Sequence, residues 1–246
     1  MTLEKHKGDW ETLGKLDPLW AIHSDPRRQH GKWDLEEFFR TGEEDVSALM
    51  EDAGKLGRPS ERASALDFGC GVGRLTRALG QRFDQCVGVD ISAAMVDQAR
   101  ALNKSFPNCS FVVNNEEHLG MFPEGKFDLI YTRWVLQHLP TKDLMKGYVA
   151  EFVRTLKKGG LLVFQVRTRI PLRARLQLGR KLYGVLRALG VKEEVLYKRF
   201  GISPMRVAIM PETEMNAFLQ GLDCRILEVQ RYQTGSGSGM VYFVTK

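Results

Sequence analysis

The chain has 246 residues, 43% of them hydrophobic, enough for one large domain or a domain with an appendage. No stretch reaches the eighteen or so uninterrupted apolar residues of a membrane span, and the charged residues 1–10 lack an export-signal core. The four scattered cysteines, Cys70, Cys86, Cys109 and Cys224, suit neither zinc nor a disulfide framework, so a reduced, cytoplasmic, metal-free protein is expected. The net charge of +6 is uneven: residues 167–206 hold eleven Lys/Arg against Glu193 and Glu194, hence +9, leaving −3 elsewhere. A basic segment, not a basic protein, needs explaining.

Residues 1–62 are charged but contain Trp10, Trp20, Trp33, Phe38 and Phe39. Residues 34–39 read as a short helix, Thr41-Gly42 as a break, and 43–56 as a second helix with Val46, Leu49, Met50 and Ala53 on one face. The aromatics are either core or part of a helical cap that brings Trp20 or Trp33 to a substrate. His23 and His30 are weaker candidates in the same segment.

The apolar run Ala65-Leu66-Asp67-Phe68 reads as a buried strand, followed by Gly69, Gly71 and Gly73 at alternate positions and a helix over 74–80. Glycine suits such a turn because it tolerates positive φ and leaves the backbone bare to a ligand at a helix N-terminus. A dinucleotide fingerprint needs G-x-G-x-x-G, and Arg74 stands where its last glycine belongs. A second strand over 85–90 ends in Asp90, seventeen residues beyond Gly73. Asp90 either caps the next element or accepts hydrogen bonds from a ribose diol. Ser92 caps a helix over 93–103. Strands over 110–114 and 127–131, a helix over 144–156, a turn at Lys157-Lys158-Gly159-Gly160 and a strand over 161–166 follow. Alternating strands and helices predict a parallel α/β sheet.

Residues 171–189 fit a helix opened by proline and closed by Gly190. Leu172, Leu176, Leu178, Leu182, Tyr183, Val185, Leu186 and Leu189 fall on one half, and Arg173, Arg180 and Arg187 on the other. Either the helix packs on the sheet with solvated arginines, or it is a lid meeting an anionic substrate or a membrane surface through 170–190. A helix over 211–222, a strand over 225–231, a Gly-Ser turn over 235–239 and a strand over 240–245 end the chain; strands joined so briefly must be antiparallel.

The glycine turn behind Asp67, the segment Val87-Gly88-Val89-Asp90, the strand Phe127-Asp128-Leu129-Ile130-Tyr131 with Val135-Leu136-Gln137-His138-Leu139, and the Lys157–Gly160 turn together resemble the class I S-adenosylmethionine-dependent methyltransferases, in the small-molecule branch that includes quinone-biosynthesis enzymes. The resemblance implies a doubly wound, mostly parallel, seven-stranded α/β sheet with an antiparallel last strand. A methyltransferase domain is expected over 63–246, preceded by a helical cap over residues 1–62 and carrying a basic helical insertion over 168–210. The implied cofactor is S-adenosylmethionine, leaving as S-adenosylhomocysteine, with no metal. Gly69 and Gly71 would face its methionine part, Asp67 would support the turn or orient the amine, Asp90 would take the ribose, Ile91 an adenine face, and Asn115 with the Glu116 N–H the adenine edge. Asn114-Asn115 is otherwise just a polar loop. The candidate base is His138, with Arg133, Trp134 and Gln137 beside it, unless that histidine is structural. A small-molecule or lipid-like acceptor is expected, anionic if the basic segment meets it, and no nucleic acid. An RNA or protein methyltransferase, or a cofactor binder without transfer activity, is the alternative.

Overall fold

The computed structural model describes residues 2–171 and 178–246. Seven strands form one sheet in the order β3-β2-β1-β4-β5-β7-β6. β1 (Ser64–Phe68), β2 (Gln85–Asp90), β3 (Cys109–Val113), β4 (Phe127–Thr132) and β5 (Leu156–Arg169) run parallel. β6 (Arg225–Thr234) and β7 (Gly237–Thr245) close the sheet antiparallel, β7 beside β5, as the brief connection between them required.

The period of two along each strand sends alternate residues to opposite cores. On one face Ala65, Leu129, Tyr131, Leu161, Val163 and Phe243 pack under α3 (Leu35–Lys55) and α4 (Arg74–Gly80). On the other, Leu66, Phe68, Ile130, Leu162, Phe164 and Tyr242 pack under α6 (Lys142–Thr155) and α9 (Glu212–Gln220). Between β2 and β3, α5 (Ala93–Leu102) is capped by the Ser92 hydroxyl, which accepts the Met95 N–H. The chain winds outward from β1 to β3, then returns through β4 and β5 on the other side of β1. Such a reversal leaves a crevice at the carboxyl ends of β1 and β4, where open α/β sheets bind ligands.

Three local expectations need correcting. Residues 34–56 are not two helices, because Gly42 lies inside the single helix α3. A Cβ at Gly42 would sit 2.4 Å from the Arg74 carbonyl oxygen, so the glycine permits close packing on α4 rather than a break. Lys157–Gly160 is an irregularity within β5, where the register against β4 shifts and Gly159 takes φ +77°. The last hairpin is tighter than expected: Thr234 pairs with Gly237, leaving Gly235-Ser236 as the tip.

The N-terminal segment is tied across the crevice. Glu11 of α1 (Leu3–Leu16) accepts from the Ser92 hydroxyl and the Ala94 N–H at the start of α5. That places a carboxylate against the positive end of a helix dipole. α2 (Pro18–Ile22) follows.

In the basic insertion, α7 (Leu178–Ala188) and α8 (Glu193–Phe200) are helical, while Leu172, Arg173 and Leu176 lie outside the described residues. The orientation of α7 departs from the expectation in part. Leu178, Leu182, Val185 and Leu189 are 61%, 47%, 58% and 75% exposed. Arg180 turns inward and lies 3.8 Å from Asp9 of α1, whereas Arg187 stays exposed, 3.1 Å from Glu193 of α8. Asp9 thus draws Arg180 in, while Tyr183 and Leu186 of the apolar half are half-buried and its other described members stay outside. Among the described residues no helix is long and apolar enough to cross a membrane.

Candidate active site

A cavity of about 660 Å³ lies at the carboxyl ends of β1, β2, β4 and β5, beneath the N-terminal segment. At one end stand Gly69, Gly71, Asp90 and Ile91; at the other stand Arg133, Trp134, Gln137, His138 and Arg167. Leu3, His6, Trp10, Ile22, His23 and Asp45 contribute from residues 1–62.

The glycine turn takes left-handed backbone at Gly69, Gly71 and Gly73, with φ of 78°, 54° and 88°. A Cβ at Gly69 would meet Val135 at 2.3 Å, and one at Gly71 would meet Ile22 at 2.4 Å. The glycines therefore serve both the turn and the close approach of neighbouring segments. Asp67 is buried and accepts the Thr76 hydroxyl at 2.6 Å, so it braces the turn from behind rather than lining the cavity. Burial pushes its carboxyl up to about 6, against the Thr76 hydrogen bond. Asp90 lines the cavity and accepts the Gly71 N–H at 2.8 Å and the Ser92 N–H at 2.9 Å, one on each carboxylate oxygen. Burial raises its pKa as well, and those backbone bonds oppose the rise. A carboxylate has about four lone-pair sites, so it can still accept two hydroxyls.

Of the neighbouring asparagines, the cavity takes the first and not the second. Asn115 is exposed and off the wall, whereas the buried Asn114 is on it. The Glu116 N–H donates to Asn114 Oδ1 at 3.3 Å, which engages the donor expected to face a ring nitrogen.

At the other end, a chain of hydrogen bonds fixes His138. Arg167 Nε donates to Gln137 Oε1 at 2.7 Å, and Gln137 Nε2 lies 3.1 Å from His138 Nε2. His138 Nδ1 contacts the Arg206 carbonyl oxygen, which can only accept. The proton is thereby assigned to Nδ1, and Nε2 accepts from Gln137. Burial lowers the His138 pKa to about 4, so the ring is neutral at physiological pH. Trp134 has φ +62°, a left-handed conformation that is strained for a bulky side chain. Its ring lies between the Arg133 and Arg167 guanidiniums, 5.8 Å and 5.6 Å from its centroid. Arg133 is held by Asp45 at 2.7 Å, whose other oxygen takes Arg74 at 2.8 Å.

The remaining sequence candidates fall elsewhere. Trp20 packs on Tyr197, with centroids 5.6 Å apart, and His30 lies 5.2 Å from the same ring; neither lines the cavity. Trp33 stacks on His23 at 5.1 Å and so backs a wall residue without reaching the wall. The buried Nδ1 of His23 has no hydrogen-bond partner among the described residues. Sequence reasoning missed His6, Trp10 and Arg167. Burial drives the His6 pKa down to about 4, with the His138 and Arg206 charges adding to the effect. Trp10 meets the His138 ring edge-on at 5.3 Å. No described residue of α7 reaches the cavity; the insertion contributes Ile170, Met205 and Val207. Among the described residues, no group of three or more His, Cys, Asp or Glu has a metal-holding arrangement.

Residues 66–164 match a family described as a methyltransferase domain. The chain is 28% identical over 155 residues to 2-methyl-6-phytyl-1,4-hydroquinone methyltransferase of Synechocystis, covering 63% of this chain and 47% of that protein. It is 38% identical over 106 residues to trans-aconitate 2-methyltransferase of Deinococcus radiodurans, covering 42% and 38%. It is 28% identical over 108 residues to phosphoethanolamine N-methyltransferase 3 of Arabidopsis thaliana, covering 44% and 22%. The chain thus spans less than half the length of these curated relatives. Among solved structures, magnesium protoporphyrin IX methyltransferase from Synechocystis with bound S-adenosylhomocysteine superposes with a TM-score of 0.63 at 20% identity, covering 99% of both chains.

Proposed function

We propose that this chain, whose matched domain and fold are those of a class I S-adenosylmethionine-dependent methyltransferase, moves a methyl group from that cofactor to a small-molecule acceptor. One observation carries the reading: the glycine-turn end and the His138 end belong to a single cavity. Donor and acceptor can then meet away from water, which in-line transfer requires.

The wall suits the cofactor chemically. Asp90 retains lone pairs for a ribose diol, Ile91 offers an apolar face, and His23 Nδ1 is a polar atom without a partner among the described residues. When bound, S-adenosylmethionine supplies an activated methyl group and its own leaving group. The chain's residues do the rest. Residues 1–62 act as a cap that holds water out. Arg133, Trp134 and Gln137 shape the acceptor end. His138 faces it as a neutral imidazole, and its low pKa suits orienting an acceptor by hydrogen bond better than full removal of a proton. The Nε2 atom would serve, and Gln137 must release it first.

The covered cavity favours a small acceptor over RNA or protein. A cytoplasmic setting is supported by the free cysteines. The exposed leucine stripe of α7 supports a second reading, in which a lipid-like acceptor is met at a membrane surface. Calorimetry with S-adenosylhomocysteine, followed by labelled methyl transfer to a panel of small phenols, amines and carboxylic acids, tests the function. Binding without transfer to any acceptor would favour a cofactor-binding protein, and no binding would remove the proposal.

A further inference from the structure

Among the described residues of the acceptor end, Arg167 is the one whose charge is answered only by neutral groups. It is 8% exposed and sits near the carboxyl end of β5 on the cavity wall. Its Nε donates to Gln137 Oε1 at 2.7 Å, one terminal nitrogen to the Ser236 carbonyl at 2.7 Å, and the other to the Ser236 hydroxyl at 3.0 Å. These fix the guanidinium at both edges, and all three acceptors are uncharged. Among the described residues it makes no ion pair. Arg133 differs, since it is ion-paired to Asp45, a carboxylate it shares with Arg74. Glu44 is the other acid on this part of the wall, while Asp90 belongs to the glycine-turn end.

A buried cation without an anion is costly unless a ligand completes it. A guanidinium carries five N–H donors, and the three bonds above leave one on each terminal nitrogen. Because Ser236 takes the edge shared by the two terminal nitrogens, the free N–H groups point to opposite sides, and an oxyanion is met by one charge-assisted bond together with the unneutralised charge. The face of Trp134, 5.6 Å from the guanidinium, supplies an apolar floor beside it.

We propose that Arg167 seats a carboxylate or phosphate group carried by the methyl acceptor. The acceptor is then an anion, held by its charged end at β5 with its remainder along Trp134 and His138. The hairpin tip at Ser236 positions the arginine, which links the last two strands to substrate choice. This assignment rests on the methyltransferase reading for the word acceptor, but the anion site itself does not.

The test is calorimetry on the full chain at constant ionic strength, with and without S-adenosylhomocysteine. The probes are benzoate, inorganic phosphate and the uncharged benzamide. The expected result is saturable binding of benzoate or phosphate at least tenfold tighter than benzamide, and the better of the two anions separates carboxylate from phosphate. Arg167→Gln should weaken that anion at least tenfold while S-adenosylhomocysteine affinity stays within about twofold. Arg167→Lys, which keeps the charge, should retain part of the binding and serves if the glutamine variant does not fold. Absence of anion binding to the wild-type chain, or wild-type anion affinity in a folded Arg167→Gln chain, would overturn the proposal. A loss of S-adenosylhomocysteine affinity in that variant without loss of the anion would seat the cofactor's own carboxylate there and overturn it equally. Failure of the wild-type chain to bind S-adenosylhomocysteine, with the anion still bound, would instead strike the methyltransferase reading.

Discussion

Asp90 holds the glycine turn from the neighbouring strand, its carboxylate accepting the Gly71 N–H at 2.8 Å. The same carboxylate reaches the cavity, so one side chain braces the backbone and faces the ligand. Its replacement removes a charged acceptor from both tasks. Asp90→Ala should weaken S-adenosylhomocysteine by about 2 kcal/mol, roughly thirtyfold. Calorimetry on the folded variant checks this; unchanged affinity would leave Asp90 a structural brace only.

Gly42 and Gly54 share helix α3 and should respond with opposite signs. A Cβ at Gly42 would lie 2.4 Å from the backbone oxygen of Arg74, which cannot move without shifting α4. Overpacking of this kind costs about 1–3 kcal/mol. Nothing lies within 4 Å of a Cβ at Gly54, so alanine there should add about 0.5–1 kcal/mol through helix propensity. Urea midpoints of Gly42→Ala and Gly54→Ala decide the matter. Equal shifts would mean that α3 does not seat on α4 through Gly42.

The readable parts of this protein are those fixed by neighbours in sequence. The strand ending in Asp67-Phe68, the three glycines and the Ser92 cap each state their conformation within a few residues. Asp90 was legible because a strand end places its last side chain predictably beside the preceding turn. Gly42 was misread because, inside a helical period, a glycine that breaks and a glycine that permits contact look alike. Only Arg74, brought close by the fold, tells them apart. Arg167, His6 and Trp10 were missed for the same reason, since they reach one cavity from β5 and α1. The two faces of α7 were visible as a pattern. That Arg180 turns inward depends on Asp9, which lies on another helix.

His138 should affect turnover more than cofactor affinity. Its ring is locked between the Arg206 carbonyl and Gln137, and it lines the cavity without a bond to the glycine turn. His138→Gln should lower the rate of methyl transfer by about 10²-fold, the lower range for a positioned proton-transfer group, with S-adenosylhomocysteine affinity nearly unchanged. Gln137→Ala, which frees the imidazole, should change the pH dependence of turnover while leaving the histidine in place. Unaltered turnover in both variants would make the histidine structural.

Acid should destabilise the chain before its paired carboxylates titrate. Burial holds His6 and His138 near pKa 4, against about 6.5 in the unfolded chain. His23 is shifted downward too, chiefly by burial. Between pH 6.5 and 4 the unfolded state therefore binds protons that the folded state refuses, and stability falls as pH falls. Each histidine contributes at most about 1.4 kcal/mol per pH unit. Asp67, raised to about 6, acts in the opposite sense below that value, because its folded form takes up a proton early. The steepest loss should lie between about pH 6 and 5, where the histidines are charged in the unfolded chain and neutral in the folded one, and Asp67 offsets part of their effect. Urea midpoints across that interval check the slope, and His6→Gln should flatten it; a midpoint rising toward acid would contradict the assignment.

The apolar stripe of α7 should bind lipid. Leu178, Leu182, Val185 and Leu189 recur at helical spacing on the outside, and each is about half exposed or more. Burying such a side chain is worth about 1.5–3 kcal/mol. The exposed Lys181, next to Leu182 in the chain, would add about 1 kcal/mol beside an anionic surface. Arg180 and Arg187, drawn to Asp9 and Glu193, contribute less than their number suggests. The full chain should therefore pellet with vesicles containing anionic lipid and weakly with neutral ones. A variant carrying Leu182→Ser, Val185→Ser and Leu189→Ser should stay in the supernatant with its S-adenosylhomocysteine affinity intact, since none of the three lines the cavity. Pelleting that survives the triple change, or none with either vesicle, would leave the stripe facing solvent and remove the membrane reading of the acceptor.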